Sequence, residues 1–259
     1  MASHAGVAKL VDAVDSKSTL SNKVLVRVQS SAMHWLEQFD LFLFDFDGLL
    51  VNTEELHFAA YRKMCERRGF DLNWDLSQFF TAAHFNASGL KEAIYAAFPQ
   101  LFKQEPQWEV LYAEKKQIYQ DLLENGQLEL LPGVATVLQA IADLGKKRCV
   151  VTNSAQVQIE VIRERLPLLK TIPVWFTRET YVEPKPHPAC YLKAIAELGK
   201  AGDRLVGFED SVRGLKALEG ANVPTRLLIC PPDHPQMKEG AFSGGFYFPS
   251  FEAIPATFA

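Results

Sequence analysis

The chain has 259 residues, 48% of them apolar and 22% charged, with 27 Lys and Arg against 31 Asp and Glu. That length holds one large domain, or a core domain with an insert, and the balance permits a substantial buried core. A net charge of −4 without a long run of either sign leaves no footprint for nucleic acid or an anionic membrane, and no stretch approaches the ~18 apolar residues of a membrane span.

The four cysteines, Cys65, Cys149, Cys190 and Cys230, form no CxxC pair, and two of them lie in apolar runs where the thiol serves as a small hydrophobe. Neither a zinc site nor a disulfide framework is expected, and a cytoplasmic location suits the chain. Residues 1–32 hold no aromatic side chain and no sustained period of 2 or 3.6. They are expected to carry no function, with Met33 as the true start.

Leu41-Phe42-Leu43-Phe44 is a wholly apolar run, the pattern of a parallel strand covered on both faces, and Asp45-Phe46-Asp47-Gly48 follows it. Residues 55–130 break the strand pattern. Glu55 to Arg68, Ala87 to Phe98 and Gln107 to Asn125 read as helices with no convincing strand between them. Leu131-Pro132-Gly133 marks a return, after which Val134, Val137, Leu138, Ile141 and Leu144 share one helical face, with Gly145 as a stop. Strand-like runs recur at Cys149-Val150-Val151, Val174-Trp175-Phe176, Leu205-Val206-Gly207-Phe208 and Leu227-Leu228-Ile229, separated by helical patterns. The alternation predicts an α/β fold: a doubly wound, Rossmann-like parallel sheet from residues 33–54 and 131–259, with an α-helical cap inserted at 55–130.

In such a sheet, ligands bind beyond the carboxyl ends of the strands. The first strand ends in Asp45-Phe46-Asp47-Gly48, the second in Thr152-Asn153-Ser154, and the fourth in Glu209-Asp210-Ser211, while Lys185-Pro186 follows the third. Each alone has an ordinary reading: a loop DxD, helix caps, a solvated lysine. Together they describe one cleft. Four carboxylates there need a hard divalent cation, and Mg²⁺ suits a few carboxylates plus phosphate oxygen. Lys185 adds a second positive charge, and Thr152 and Asn153 can donate to the oxygens of a transferring phosphoryl group. Gly48 would let the backbone approach that group.

The run from Asp45 to Thr53, with the three other strand ends in order, resembles the motif set of the haloacid-dehalogenase-like hydrolase superfamily, from about residue 39 to the C-terminus. The helical insert resembles the cap of the branch holding β-phosphoglucomutase and many small phosphatases. The resemblance implies that Asp45 attacks phosphorus, that Asp47 acts as general acid and then base, and that Thr152 holds the phosphoryl group. It further implies that Lys185 orients Asp45, and that Mg²⁺ binds Asp45, the main-chain carbonyl of Asp47, Asp210 and, directly or through water, Glu209. Gly48, Asn153, Thr53 and His57 are the candidate substrate contacts.

Asn52 stands where the family usually has Asp, and is expected just behind the site. The mutase branch uses a cap cation to grip a distal phosphate. Residues 80–88, the expected substrate loop, hold no Arg or Lys, and Lys91 comes late. The expected activity is therefore Mg²⁺-dependent hydrolysis of a small phosphorylated metabolite, a sugar or polyol phosphate, through an aspartyl-phosphate. Phosphosugar mutase is the alternative, and a non-catalytic phosphate-binding protein the remote one. His57 reads equally as a contact at the cap hinge or as a partly buried helix histidine. His84 is expected as a plain loop residue, His187 on the surface, and Phe79, Phe80 and Phe85 in the packing of the insert. Oligomeric state is not legible.

Overall fold

The computed structural model describes residues 33–85, 89–234, 237 and 244–257, without the side chains of His84 and Phe85. Six parallel strands form one sheet: β1 (Leu41–Phe44), β2 (Lys147–Val151), β3 (Val174–Phe176), β4 (Leu205–Glu209), β5 (Thr225–Ile229) and β6 (Phe246–Phe248). Their order is β3-β2-β1-β4-β5-β6, so the direction of winding reverses between β1 and β4. The register sets Leu41 beside both Lys147 and Leu205, which brings the ends of β1, β2 and β4 level.

All four residues of β1 are fully buried, and their alternation builds two cores. Phe42 and Phe44 face one side, where Phe44 stacks on Phe208 at 4.8 Å between ring centroids. Helices α6 (Val134–Asp143) and α7 (Gln156–Arg165) cover that side through Val137, Ile141, Ile159 and Ile162. Leu41 and Leu43 face the other, under α8 (Ala189–Leu198) and α9 (Val212–Gly220), which contribute Tyr191, Ala194, Leu215 and Leu218. The 3₁₀ turn His34–Gln38 drives the fully buried Trp35 into the first of these cores, against Phe42 and Phe208.

Among the described residues, five helices form the insert that follows β1: α1 (Thr53–Arg67), α2 (Leu76–Phe85), α3 (Gly89–Ala97), α4 (Pro99–Gln104) and α5 (Trp108–Asn125). Three were expected; α2 and α4 were not. Residues 80–85, expected as loop, continue α2, and so does the backbone of His84. The cause is a reciprocal cap. Gln78 N–H donates to Asp75 Oδ1 at 2.7 Å, and Asp75 N–H donates to Gln78 Oε1 at 2.9 Å. Pro99 opens α4 at a position where its missing N–H costs nothing. β6, also unexpected, pairs with β5 through Phe246, Tyr247 and Phe248.

Aromatic side chains weld the insert together: Phe58 on Phe79 at 5.1 Å, Tyr95 edge-on to Trp108 at 5.4 Å, and Phe70 against Phe98 at 5.3 Å. Both connections to the sheet run side by side. Val51 bridges Leu130, Leu131 N–H donates to Leu50 O at 3.0 Å, and Asn52 clasps the returning strand. Its amide donates to Gln127 O at 3.2 Å, and its Oδ1 accepts from Glu129 N–H at 2.9 Å. Asn52 thus belongs to the hinge rather than standing behind the site as expected, because its amide offers both a donor and an acceptor to the opposite strand.

Candidate active site

The cleft opens where the winding reverses, as ligand sites in open parallel sheets do. Asp45 N–H extends the β1–β4 ladder by bonding Phe208 O at 2.9 Å, and Thr152 N–H extends the β2–β3 ladder by bonding Phe176 O at 2.9 Å. Both side chains therefore leave the sheet just past the last strand residues. The cavity measures about 270 Å³ and is lined by Asp45, Asp47, His57, Asn153, Lys185, Glu209 and Asp210 from the expected set. Glu54, Ala83, Ser154, Ser211 and Arg213 complete its wall.

Lys185 ties the acidic groups into one array. Its ammonium donates to Asp45 Oδ1 at 2.6 Å, Glu209 Oε1 at 2.7 Å and Val151 O at 2.8 Å. All three N–H bonds are thereby spent. Burial disfavours the ammonium, but Asp45 and Glu209 more than offset this and hold its pKa above the usual lysine range. Tyr191 also donates to Glu209 Oε1, and its ring lies 4.8 Å from the ammonium.

Asp47 is held by hydroxyls rather than by charge. Thr53 donates to Oδ1 at 2.8 Å, while Thr152 and Ser154 donate to Oδ2 at 2.9 and 2.6 Å. Burial and the nearby Asp45 raise its pKa against those three donors, which favours a carboxyl that carries a proton. Thr53 and Thr152 are both fully buried. Each was expected to face the substrate; neither lines the cavity, and each donates its hydroxyl to Asp47. Ser154 takes the position on the cavity wall. Asn153 does line the cavity; its Oδ1 accepts from Tyr181 O–H at 2.8 Å and Lys185 N–H at 3.2 Å, which leaves its NH₂ as the available donor.

Gly48 adopts φ +71°, and a Cβ there would lie 2.6 Å from Asp210 Oδ2. The residue is required by that turn and by the close approach of Asp210. Gly214 serves Glu209 in the same way, since a Cβ would fall 1.9 Å from Oε2.

Oxygens of Asp45, Glu209 and Asp210 lie within 4.8 Å of one another. Burial and Asp45 push Glu209 up to about 7; burial, Asp45, Glu209 and Glu54 push Asp210 well above the usual carboxylate range. Glu209 Oε2 is buried without a hydrogen-bond partner. Excess negative charge and an idle carboxylate oxygen fit a hard divalent cation. The side chain of Asp47, occupied by its hydroxyls, is not part of this cluster, so only its main-chain carbonyl remains for such an ion.

His57, on α1 and partly buried, lies on the cavity wall. Its Nδ1 accepts from Lys115 at 2.5 Å, and its ring stacks on Tyr119 at 3.8 Å. Burial and the neighbouring lysine hold its pKa well below the usual imidazole range, so the ring is neutral and its Nε2 carries the proton. Phe79 and Phe80 pack inside the structure, as expected, and Ala83 is the α2 residue that reaches the cavity. His84 and Phe85 lie outside the described side chains. His187 is on the surface, paired with Glu183 at 2.9 Å. Lys91 is not on the cavity wall.

The model of the haloacid dehalogenase-like hydrolases matches residues 42–227. The protein CbbY of Cereibacter sphaeroides is 29% identical over 205 residues, 77% of this chain and 87% of that protein. A phosphorylated carbohydrates phosphatase of Thermotoga maritima is 28% identical over 189 residues, 70% of this chain and 81% of that one. In fold, the chain is similar to a crystal structure of CbbY from Rhodobacter sphaeroides in complex with phosphate, with TM-score 0.62, 24% identity, and coverage of 82% of this chain and 95% of the other. The chain belongs to the haloacid dehalogenase-like hydrolase family.

Proposed function

We propose that this haloacid dehalogenase-like hydrolase is a Mg²⁺-dependent phosphatase of a small phosphorylated carbohydrate or polyol. The observation that carries the reading is one cavity holding a lysine-bound carboxylate, Asp45, beside a second carboxyl, Asp47, fixed by three hydroxyls. The similarity to a phosphorylated carbohydrates phosphatase supports the substrate class.

Asp45 attacks phosphorus as the ester P–O bond breaks, and Asp47 gives its proton to the departing alkoxide oxygen. A water then attacks the aspartyl-phosphate; Asp47 takes the water's proton, and Asp45 returns as a carboxylate with phosphate released. Lys185 holds Asp45 in line and offsets its charge. The three hydroxyls on Asp47 fix its orientation through both proton transfers. Asn153 NH₂ supplies a neutral donor on the phosphoryl side. Mg²⁺, held by Asp45, Asp210 and the carbonyl of Asp47 with Glu209 beside them, would supply the positive charge that this acidic cleft lacks.

The test is a panel of phosphorylated sugars and polyols, with p-nitrophenyl phosphate, assayed for free phosphate in Mg²⁺, in EDTA and in Ca²⁺. Activity is expected in Mg²⁺, none in EDTA, and little in Ca²⁺, whose looser coordination misplaces the phosphoryl group. Full turnover in EDTA refutes the metal dependence. Conversion of β-glucose 1-phosphate to glucose 6-phosphate with little free phosphate refutes hydrolysis.

A further inference from the structure

The cavity wall carries two cations, Lys185 and Arg213, against five carboxylates. Lys185 has no N–H left for a substrate, because Asp45, Glu209 and Val151 O take all three. Arg213 is the reverse case. It stands on the first turn of α9, three residues after Asp210, with an exposed side chain and, among the described residues, no hydrogen-bond or ion-pair partner. Glu54, on the first turn of α1, has no hydrogen-bond partner either, and its electrostatic pull reaches Arg213 without a direct bond forming between them.

From this we infer that Arg213 is a specificity-determining residue that grips a second anionic group, carboxylate or phosphate, on the leaving part of the substrate. The inference rests on the proposed phosphatase activity. A guanidinium presents a planar fork of N–H donors that matches either oxyanion in two parallel bonds, which a lysine cannot reproduce. Such an ester with an extra anion would otherwise enter a cleft dominated by carboxylates, and would be repelled. The unpaired Glu54 adds an acceptor for a substrate hydroxyl.

The experiment compares free-phosphate release from matched pairs: 6-phosphogluconate against glucose 6-phosphate for a carboxylate, and fructose 1,6-bisphosphate against fructose 6-phosphate for a second phosphate. Wild type is expected to favour at least one partner with the extra anion by about tenfold or more in kcat/KM. Arg213→Met should collapse that preference, mainly through KM, and lower kcat/KM for p-nitrophenyl phosphate at least tenfold less. Arg213→Lys should restore part of it, as a charge without the fork. The pair that responds tells carboxylate from phosphate. An unchanged preference in Arg213→Met, or an equal loss on p-nitrophenyl phosphate, overturns the inference while leaving the phosphatase reading intact. A wild type inactive on every monoester, p-nitrophenyl phosphate included, overturns both.

Discussion

Two lysines, both almost wholly buried, separate the sheet from the helical insert. Lys185, in the turn between β3 and α8, is 5% exposed and meets two carboxylates and a carbonyl. Lys115, on α5, is 4% exposed and meets the Nδ1 of His57 and the faces of Tyr61 and Tyr119, at 4.9 and 4.7 Å from their centroids. Beside the strand ends, opposite charge outweighs desolvation and holds the ammonium's pKa above the usual lysine range. In the insert, burial dominates over the distant Glu54 and lowers the pKa from 10.5 to about 8. Equal burial of one residue type thus gives a fixed charge in one place and a titratable one in the other. The partners decide, and they differ because strand ends converge on a point whereas aromatic helices surround a volume.

The sharpest way to break this comparison is at the point of convergence. Asp45→Asn removes the nucleophile and an acceptor of Lys185, and turnover should fall by about 10⁴-fold or more in steady-state phosphate release. Retention within about tenfold would mean that the strand-end array is not the chemical centre.

Next in size is the contrast between the lysines themselves. Lys185→Met leaves Asp45 and Glu209 buried without their cation and should cost about 3–5 kcal/mol in denaturant unfolding. Lys115→Met strands no carboxylate, and is expected to be neutral or stabilising near pH 7 because a desolvated charge is removed. Equal losses would show that Lys115 is held as tightly as Lys185.

A pH series sharpens the same point. Between about pH 8 and 10.5 the folded protein holds Lys115 neutral while the unfolded chain holds it protonated. The unfolded state then binds more protons, so raising the pH favours folding. Wild-type stability minus that of Lys115→Met should rise by on the order of 2–3 kcal/mol across this window. A flat difference would place the pKa at its ordinary value.

The smallest effect lies where the two regions join. Asn52→Ala loses both bonds to residues 127 and 129 and should cost about 1 kcal/mol, with a larger share in KM than in kcat if the hinge governs entry. A loss of turnover comparable to Asp45→Asn would return Asn52 to the catalytic array.

Much of the candidate site was legible in the chain order. A parallel strand covered on both faces must be an unbroken apolar run, so the polar residue that ends it announces itself, as Asp45, Glu209 and Asp210 do. The Asp75 to Gln78 cap and Pro99 also carried readable helix starts, which were missed at α2 and α4. β6 lacked such a signal, since three aromatic residues at a sheet edge read equally as loop packing.

The motif residues and their order along the chain were determined by the sequence alone, because they depend only on local period and on where each run stops. What each side chain touches was decided by tertiary structure. Thr53 and Thr152 reach Asp47 rather than a substrate, Tyr181 and Tyr191 brace Asn153 and Glu209, and Lys115 meets His57 across 58 positions of chain. Those partners come from distant elements, and no local period encodes which of them closes on a given hydroxyl. Arg213 shows the limit most clearly: an arginine on a helix is ordinary in sequence, and only the packing of α9 over β4 turns it toward a cavity full of carboxylates.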